Sequence, residues 1–279
     1  MSSTHIDIDR LFKTELLRLL KDEIKTAEEI EEKYAEIYIQ WANSPNSALE
    51  GLTPNEYYSR MDSRALIQEL NECVCAGRTP SDALLDAITD NSACPALLLD
   101  ILRGAFGAFD NADQLMALRR HAITLLNQCD HVIAKKDYIR LIVSGDPLSA
   151  EAAFGLETII DTALDDVLDA VPGADDKARE YLLSAAAASG GDRVRQMLIE
   201  QFKNTSEDRG FIARLIARCG DDSALPVLKS YAFMCDDYYS YRAVEEAVEA
   251  LGGEIEDGPD FSGDPDFEAL TKSRQDNGK

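Results

Sequence analysis

Residues that could bind metal or act as nucleophiles are scattered along this sequence rather than grouped at catalytic spacing. Cys73 and Cys75 are one residue apart, which turns them to different faces of a helix, and no second Cys or His pair follows at zinc spacing. The alternating acids of 260–266 resemble a calcium loop, but Pro265 occupies the position of the required turn glycine. The sequence contains neither a Gly-x-Ser-x-Gly run nor a phosphate-binding glycine loop. We therefore expect no catalytic residue, no metal and no cofactor.

Two other groups of side chains suit the binding of a partner. Between residues 193 and 218, five arginines and Lys203 outnumber three acids, which gives this basic stretch a local surplus of positive charge. If stacked helices gather these cations, they form a basic strip for an acidic peptide or for the protein's own tail. The alternative is that they lie on solvated helix faces and pair with neighbouring acids. One tyrosine lies off the apolar stripe of its own helix, as binding anchors do. The candidate partner-binding residues are Arg193, Arg195, Arg209, Arg214, Arg218 and Tyr239.

The overall charge restricts the class of partner. The chain has 52 Asp plus Glu against 28 Lys plus Arg, a formal net charge of -24. This charge repels nucleic-acid phosphates and anionic lipid surfaces, so we expect a protein or peptide partner, no nucleic acid and no membrane. The same acids also keep an Ala-rich and Leu-rich fold in solution. No segment reaches the roughly 18 apolar residues of a membrane span, and no secretory leader pattern opens the chain. We expect a cytoplasmic location.

The cysteines and histidines are better explained as structural residues than as ligands. The six cysteines lie mostly within helical apolar runs, which suits reduced thiols that behave as small hydrophobic side chains: Cys73, Cys75, Cys94, Cys129, Cys219 and Cys235. The histidines His5, His121 and His131 are too dispersed to suggest a site.

The elements that must position these residues are helices. Apolar residues recur every three or four positions, which predicts one helix over about 9–25 and a second that carries Trp41 and pairs with it as a hairpin. Thr53, Pro54 and Glu56 have the spacing of a capping box at the start of a short helix. Further helices are predicted over 65–75, from the cap at 79–82, and over 95–106, 112–129, 136–144 and 150–171, the last interrupted near Gly155. The fold class is therefore all-α.

A repeat is clearest in the C-terminal third. Gly190, Gly220 and Gly252 each follow an apolar helical run, and they fall 30 and then 32 residues apart. A period near 30 with two helices per unit predicts an α-solenoid, an α-α superhelix of stacked antiparallel helix pairs. Each glycine closes a first helix, and the acids after it favour the start of the second.

The residues of 219–228 and 247–254 resemble HEAT-type repeats of the short variety, about 30 residues long, that also occurs in phycobilisome lyases. The likeness is clearest over 175–254. It implies a stack of helix pairs, and proteins with this repeat are mostly scaffolds and binding modules. A few are enzymes, among them bilin lyases and alkylpurine DNA glycosylases.

These observations predict three regions. Residues 1–60 form a helical hairpin and a capped short helix, 61–254 form HEAT-like repeats, and 255–279 form an acidic irregular tail whose removal from residue 258 should leave the core folded. The alternative is that Phe261 and Phe267 dock part of this tail against the last repeat. The predicted function is a non-catalytic protein–protein interaction module or scaffold that binds through the concave surface of its second helices. The alternative is a HEAT-repeat enzyme such as a chromophore lyase or a DNA glycosylase.

Metal removal tests the absence of a ligand set. A chelator should change neither the helix content nor the melting temperature of the protein, because a structural metal contributes directly to the free energy of folding. The measurement is a thermal melt, followed by far-ultraviolet circular dichroism, with and without chelator. A lower melting temperature in chelator would reveal a metal site that the spacing of ligands does not show.

Overall fold

The computed structural model describes residue 6 and residues 8–22, 27–106, 111–128, 132–204 and 209–277. Within these ranges the protein is all-α, without β-strands, as the sequence predicts. None of the helices found there combines the length and the apolar character that crossing a bilayer requires. The helices are α1 (Ile8–Asp22), α2 (Ala27–Ala42), α3 (Pro54–Ser59), α4 (Ser63–Cys75), α5 (Asp82–Asp90), α6 (Cys94–Leu102), α7 (Ala112–Gln128), α8 (Lys135–Val143), α9 (Ser149–Thr158), α10 (Ile160–Ala170), α11 (Asp176–Ala187), α12 (Asp192–Asn204), α13 (Arg209–Arg218), α14 (Leu225–Ala232), α15 (Tyr238–Ala250) and α16 (Pro265–Asn277).

Packing divides the chain into two compact units, Met1–Asp137 and Tyr138–Lys279. The division falls within α8. The predicted regions 1–60, 61–254 and 255–279 have other bounds, and the helices α4 to α7 belong to the first unit together with the N-terminal hairpin. In the first unit α2 packs on α3, α3 packs on α5, and α4 contacts α5, α6 and α7.

The predicted N-terminal hairpin is formed by α1 and α2. Phe12 is buried, and its ring meets those of Tyr38 and Trp41 at centroid distances of 5.1 and 4.9 Å. The Tyr38 hydroxyl also accepts a hydrogen bond of 2.9 Å from the backbone N–H of Ala83, at the start of α5. The aromatic cluster therefore holds α1 against α2, and the hydrogen bond from Ala83 connects α2 to α5.

Local capping chemistry fixes several helix ends. At α3 the Thr53 hydroxyl accepts from the N–H of Glu56 at 3.1 Å, and the Glu56 carboxylate accepts from the N–H of Thr53 at 3.0 Å, which confirms the capping box.

Two details of other helix ends differ from the predictions. Ser81, rather than the preceding Thr79, caps α5, and the break between α9 and α10 lies at Ile159 rather than at Gly155. Gly155 is buried inside α9, where a residue without a side chain allows close packing.

In the second unit the predicted glycines do end helices. Gly190, Gly220 and Gly252 follow α11, α13 and α15 with φ angles of 62, 73 and 78°, the left-handed region that residues with a Cβ seldom adopt. The chain turns after each of these helices. Within this unit α11 packs on α9, α13 packs on α11, and α15 packs on α13.

The predicted irregular tail is corrected over part of its length, because α16 covers Pro265–Asn277. Proline breaks a helix when it lies in its interior, but at the first helical position after an acidic cap it favours the start of the helix. The Asp264 carboxylate supplies that cap by accepting from the N–H groups of Asp266 and Phe267 at 2.9 and 3.1 Å. It also accepts from the N–H of Tyr238, the first residue of α15, at 3.1 Å.

The segment before α16 contributes to the core of the second unit. Phe261 is only 7% exposed, and its ring lies 5.0 Å from that of Tyr241 and 5.4 Å from that of Tyr238. The expectation that residues 258–279 can be removed without loss of core stability is therefore corrected. Truncation there would expose the aromatic face of α15 and leave the N–H of Tyr238 without its carboxylate.

Phe261→Ala should lower the free energy of unfolding by about 3 kcal/mol, because it removes a buried ring and leaves a cavity. Phe233→Ala is the matched control, since the Phe233 side chain is 59% exposed and its loss should cost less than about 0.5 kcal/mol. Urea denaturation of the full chain, followed by circular dichroism, measures both. Equal effects of the two substitutions would show that the tail segment is dispensable, as the sequence suggested.

Candidate partner-binding surface

Three of the five candidate arginines are held by carboxylates of the second unit. Arg193, at the start of α12, pairs with Asp165 of α10. Arg195 pairs with Asp192 at 2.6 Å and with Asp221 at 3.1 Å, and its side chain is only 13% exposed. Their charges are therefore largely neutralised within the chain, as the alternative sequence interpretation describes.

Arg218, at the end of α13, connects this helix to α9 and α11. Its guanidinium binds both carboxylate oxygens of Glu157 in α9, at 2.6 and 2.9 Å, and reaches the backbone carbonyl of Ser184 in α11 at 3.2 Å. The hydrogen bond to Glu157 raises the pKa of Arg218. A planar guanidinium suits this two-point carboxylate contact, which orients α13 against α9 and α11. Arg218 thus has a structural task.

Arg209 and Arg214 have different surroundings. Arg209 opens α13, where its Nε donates to the carbonyl of Phe202 at 3.2 Å and its guanidinium lies 4.6 Å from the centre of the Tyr231 ring. Arg214 is exposed one and a half turns later on the same helix. The structure thus gives four of the five arginines separate partners and leaves Arg214 exposed, and their role in binding stays a prediction.

An open cavity of about 630 Å³ lies beside Arg209. Its walls come from the last turn of α12, the first residue of α13, α14 and the turn that follows α14. The side chains include two cations, one carboxylate and a mainly apolar remainder: Phe202, Lys203, Arg209, Pro226, Val227, Ser230, Tyr231, Met234 and Asp236. Phe202 is buried and its ring meets that of Tyr231 edge-on at 5.2 Å, so the aromatic part of the lining is fixed in place. The volume falls within the range of about 300–1,000 Å³ that is usual for small-ligand pockets.

Exposed apolar side chains lie near this cavity along the chain. Phe233 and Met234 follow α14 and are 59% and 68% exposed, and Met234 is part of the cavity lining. Tyr239, in the first turn of α15, is 66% exposed, as expected for a residue off the apolar stripe. Its neighbours Tyr238 and Tyr241 instead pack against Phe261. Exposed large apolar side chains of this kind are typical of surfaces that bind partners.

Sequence reasoning named only Arg209 among the residues that line the cavity as a candidate. Lys203 belongs to the basic stretch, and Tyr231 and Met234 belong to the aromatic segment, so the sequence does contain a weak signal for these three. Val227 and Phe202 have the spacing of ordinary core residues. Only the packing of α14 beside the start of α13 brings the cationic and the apolar lining residues of the cavity together.

A second cavity, of about 460 Å³, lies in the first unit between α3, α4 and α5. Three carboxylates line it, those of Glu56, Asp86 and Asp90. Glu56 already serves the capping box of α3. Burial raises the pKa of Asp86, and the neighbouring Asp82 and Asp90 raise it further. This cavity is acidic, like the chain as a whole.

Burial favours the neutral forms of two cysteines and one histidine of the described ranges. Burial raises the pKa of the Cys94 thiol and of the Cys235 thiol, each to about 11, and it lowers the pKa of His121. The described cysteines all carry free thiols, and no group of three or more His, Cys, Asp or Glu side chains there could hold a metal ion. Cys129, His5 and His131 lie outside the described residues.

The search for known relatives returned nothing: no protein-family model, no curated protein and no solved structure matches this chain.

Alkaline pH should probe the packing of α15 through Tyr241. Burial, and the hydrogen bond that its hydroxyl donates to Glu245 at 2.8 Å, raise the pKa of Tyr241 to about 12. The folded state thus favours the neutral phenol. The resulting stability is complete below the ordinary pKa of about 10 and is lost as the pH rises towards about 12.

Tyr241→Phe should therefore reduce the fall in melting temperature between about pH 10 and about pH 12 relative to the parent protein. Tyr239→Phe, at a 66% exposed site, is the control and should keep the parent slope. Thermal melts across this pH range measure the effect. If Tyr241→Phe shows the parent slope, burial of this phenol does not contribute to alkaline unfolding.

Proposed function

We propose that this chain is a non-catalytic protein-interaction module or scaffold, and that it binds its partner through the second unit. The observation that carries the proposal is the open cavity at Arg209 and Tyr231, flanked by the exposed apolar side chains of Phe233 and Met234. Aromatic residues, methionine and arginine are the residue types enriched in protein interfaces. A surface that combines them at a concave site suits recognition of a protein segment.

We further propose that the helices of the second unit are HEAT-like repeats. The left-handed glycines at intervals of 30 and 32 residues support this, as does the successive packing of α9, α11, α13 and α15. In such an array the intervening helices, α12 and α14, form the concave wall that receives the partner. Both helices contribute to the lining of the cavity, which agrees with a partner site on that wall.

Several expectations from the sequence remain predictions beside this proposal. They include the contribution of Tyr239 and of the arginines outside the cavity, the exclusion of nucleic acid as a partner, and the cytoplasmic location. The alternative of a HEAT-repeat enzyme, a chromophore lyase or a DNA glycosylase, also stays a prediction. Among the described residues, no observation favours it over a binding module.

The test is quantitative affinity capture from a lysate of the native host with the full-length chain as bait. Met234→Glu places a charge on the apolar wall of the cavity and should reduce recovery of a specific partner at least about tenfold, equivalent to about 1.4 kcal/mol of binding free energy. Phe154→Glu is the matched control, because Phe154 lies on α9 of the same unit and is 60% exposed. It should leave recovery unchanged.

Circular dichroism of both variants confirms that they fold before the comparison is made. A partner that is lost equally with both variants, or with neither, would contradict binding at this cavity. Recovery of a coloured chromophore or a nucleic acid in place of a protein would favour the enzyme alternative.

A further inference from the structure

Lys203 and Arg209 stand out by their charge surroundings. In a chain with 52 acidic and 28 basic residues, Arg193, Arg195 and Arg218 of the second unit each pair with a carboxylate. Within the part of the chain that the structure describes, neither Lys203 nor Arg209 forms an ion pair, yet both line the same cavity. Two cations left beside one concavity of a strongly acidic protein are complementary to an anionic ligand.

The Arg209 side chain is held ready for such a ligand. Its Nε is engaged by the Phe202 carbonyl at 3.2 Å, and its guanidinium plane is supported by the Tyr231 ring at 4.6 Å. A guanidinium whose position is already fixed loses little conformational entropy when it binds a carboxylate through its remaining N–H groups. This differs from an exposed lysine, whose flexible stem must be ordered on binding.

The remainder of the lining is apolar. Val227, Tyr231 and Met234 line the cavity, and Met234 remains 68% exposed. Exposed methionine adapts to partners of different shape and gains contact area when an apolar side chain covers it. A ligand that fills this cavity therefore needs an apolar group as well as a negative charge.

Asp236 limits how the charges of the ligand can be arranged. It follows α14, whereas Lys203 lies in the last turn of α12 and Arg209 begins α13. Like charges repel, so the ligand carboxylates belong beside the two cations and the apolar group belongs beside Val227 and Met234. A uniformly charged polyanion such as nucleic acid would also meet the net charge of -24 on the chain.

We propose that this cavity binds an acidic peptide segment of a partner protein, with Lys203 and Arg209 binding its carboxylates and with Val227, Tyr231 and Met234 receiving an adjacent apolar side chain. The proposal rests on the interaction function proposed above and specifies the chemistry of the partner. Free phosphate satisfies only the cationic part of the site, and a neutral apolar peptide satisfies only the other part.

Fluorescence anisotropy with the full-length protein tests the proposal directly. The probe is a short labelled peptide with a central leucine between aspartate and glutamate residues. One comparison peptide replaces the acids by Asn and Gln, and another replaces the leucine by glycine. The acidic leucine peptide should bind at least about tenfold more tightly than either, and added salt should weaken it, because screening shortens charge interactions to about 8 Å at physiological ionic strength.

Variants then locate the site. Lys203→Gln and Arg209→Gln should each weaken binding of the acidic leucine peptide several-fold or more, and Met234→Glu should weaken it at least as much. Lys177→Gln and Arg179→Gln, both on α11 of the same unit, are the matched controls for loss of one positive charge and should leave affinity unchanged. Because Arg209 packs on Tyr231, its variant is checked by circular dichroism, and the exposed Lys203 provides an independent result if that variant unfolds.

Three outcomes would overturn the acidic-peptide site. They are equal binding of the acidic and amide peptides, equal losses in the α11 controls, and competition by inorganic phosphate as strong as that by unlabelled peptide. If the peptides fail while Met234→Glu still loses the captured host partner, the interaction module stands and the proposed acidic chemistry is wrong. If the peptides bind as expected but capture does not depend on Met234, the site stands and the proposed function is wrong.

Discussion

The reversal of the chain after each long helix is the constraint on which the second unit depends. Gly190 and Gly220 adopt left-handed backbone conformations that would strain a residue with a Cβ by roughly 1–2 kcal/mol. The chain turns at these glycines, and α13 packs on α11 as α15 packs on α13. The same packing brings Cys219 against the carbonyl of Ala187 at 3.7 Å and Arg218 against Glu157. The orientation of α13, and with it the position of Arg209, follows from this arrangement.

The acid surplus of the chain determines which cations are available for binding. Acidic residues outnumber basic ones by 52 to 28, so an arginine that faces another helix usually finds a carboxylate there. Arg193 and Arg218 are examples, and each stabilises contacts inside the second unit. Arg209 instead faces the Phe202 carbonyl and the Tyr231 ring. Among the described residues no acid pairs with its guanidinium, which is why this arginine carries the binding proposal.

The C-terminal segment shows how one carboxylate can connect two helices. Asp264 accepts hydrogen bonds from the first turn of α16 and from the first residue of α15, and these bonds lower its pKa. Phe261 covers the rings of Tyr238 and Tyr241 from the same segment. The tail is therefore part of the second unit rather than an appendage. Because it occupies the aromatic face of α15, Tyr239 is the exposed tyrosine of that helix, whereas Tyr238 and Tyr241 are covered.

The sequence by itself determined the all-α class, the capping box of Thr53 and Glu56, and the glycines that end α11, α13 and α15, because periodicity and capping act within a few residues of the chain. It could not determine that α16 is a helix docked through Phe261 or that the chain divides at Asp137, since both depend on contacts between distant segments. The five candidate arginines looked equivalent in sequence. Only tertiary packing separated Arg218, which meets Glu157, from Arg209, which lines a cavity, because the charge available at a side chain depends on which neighbours the fold brings to it.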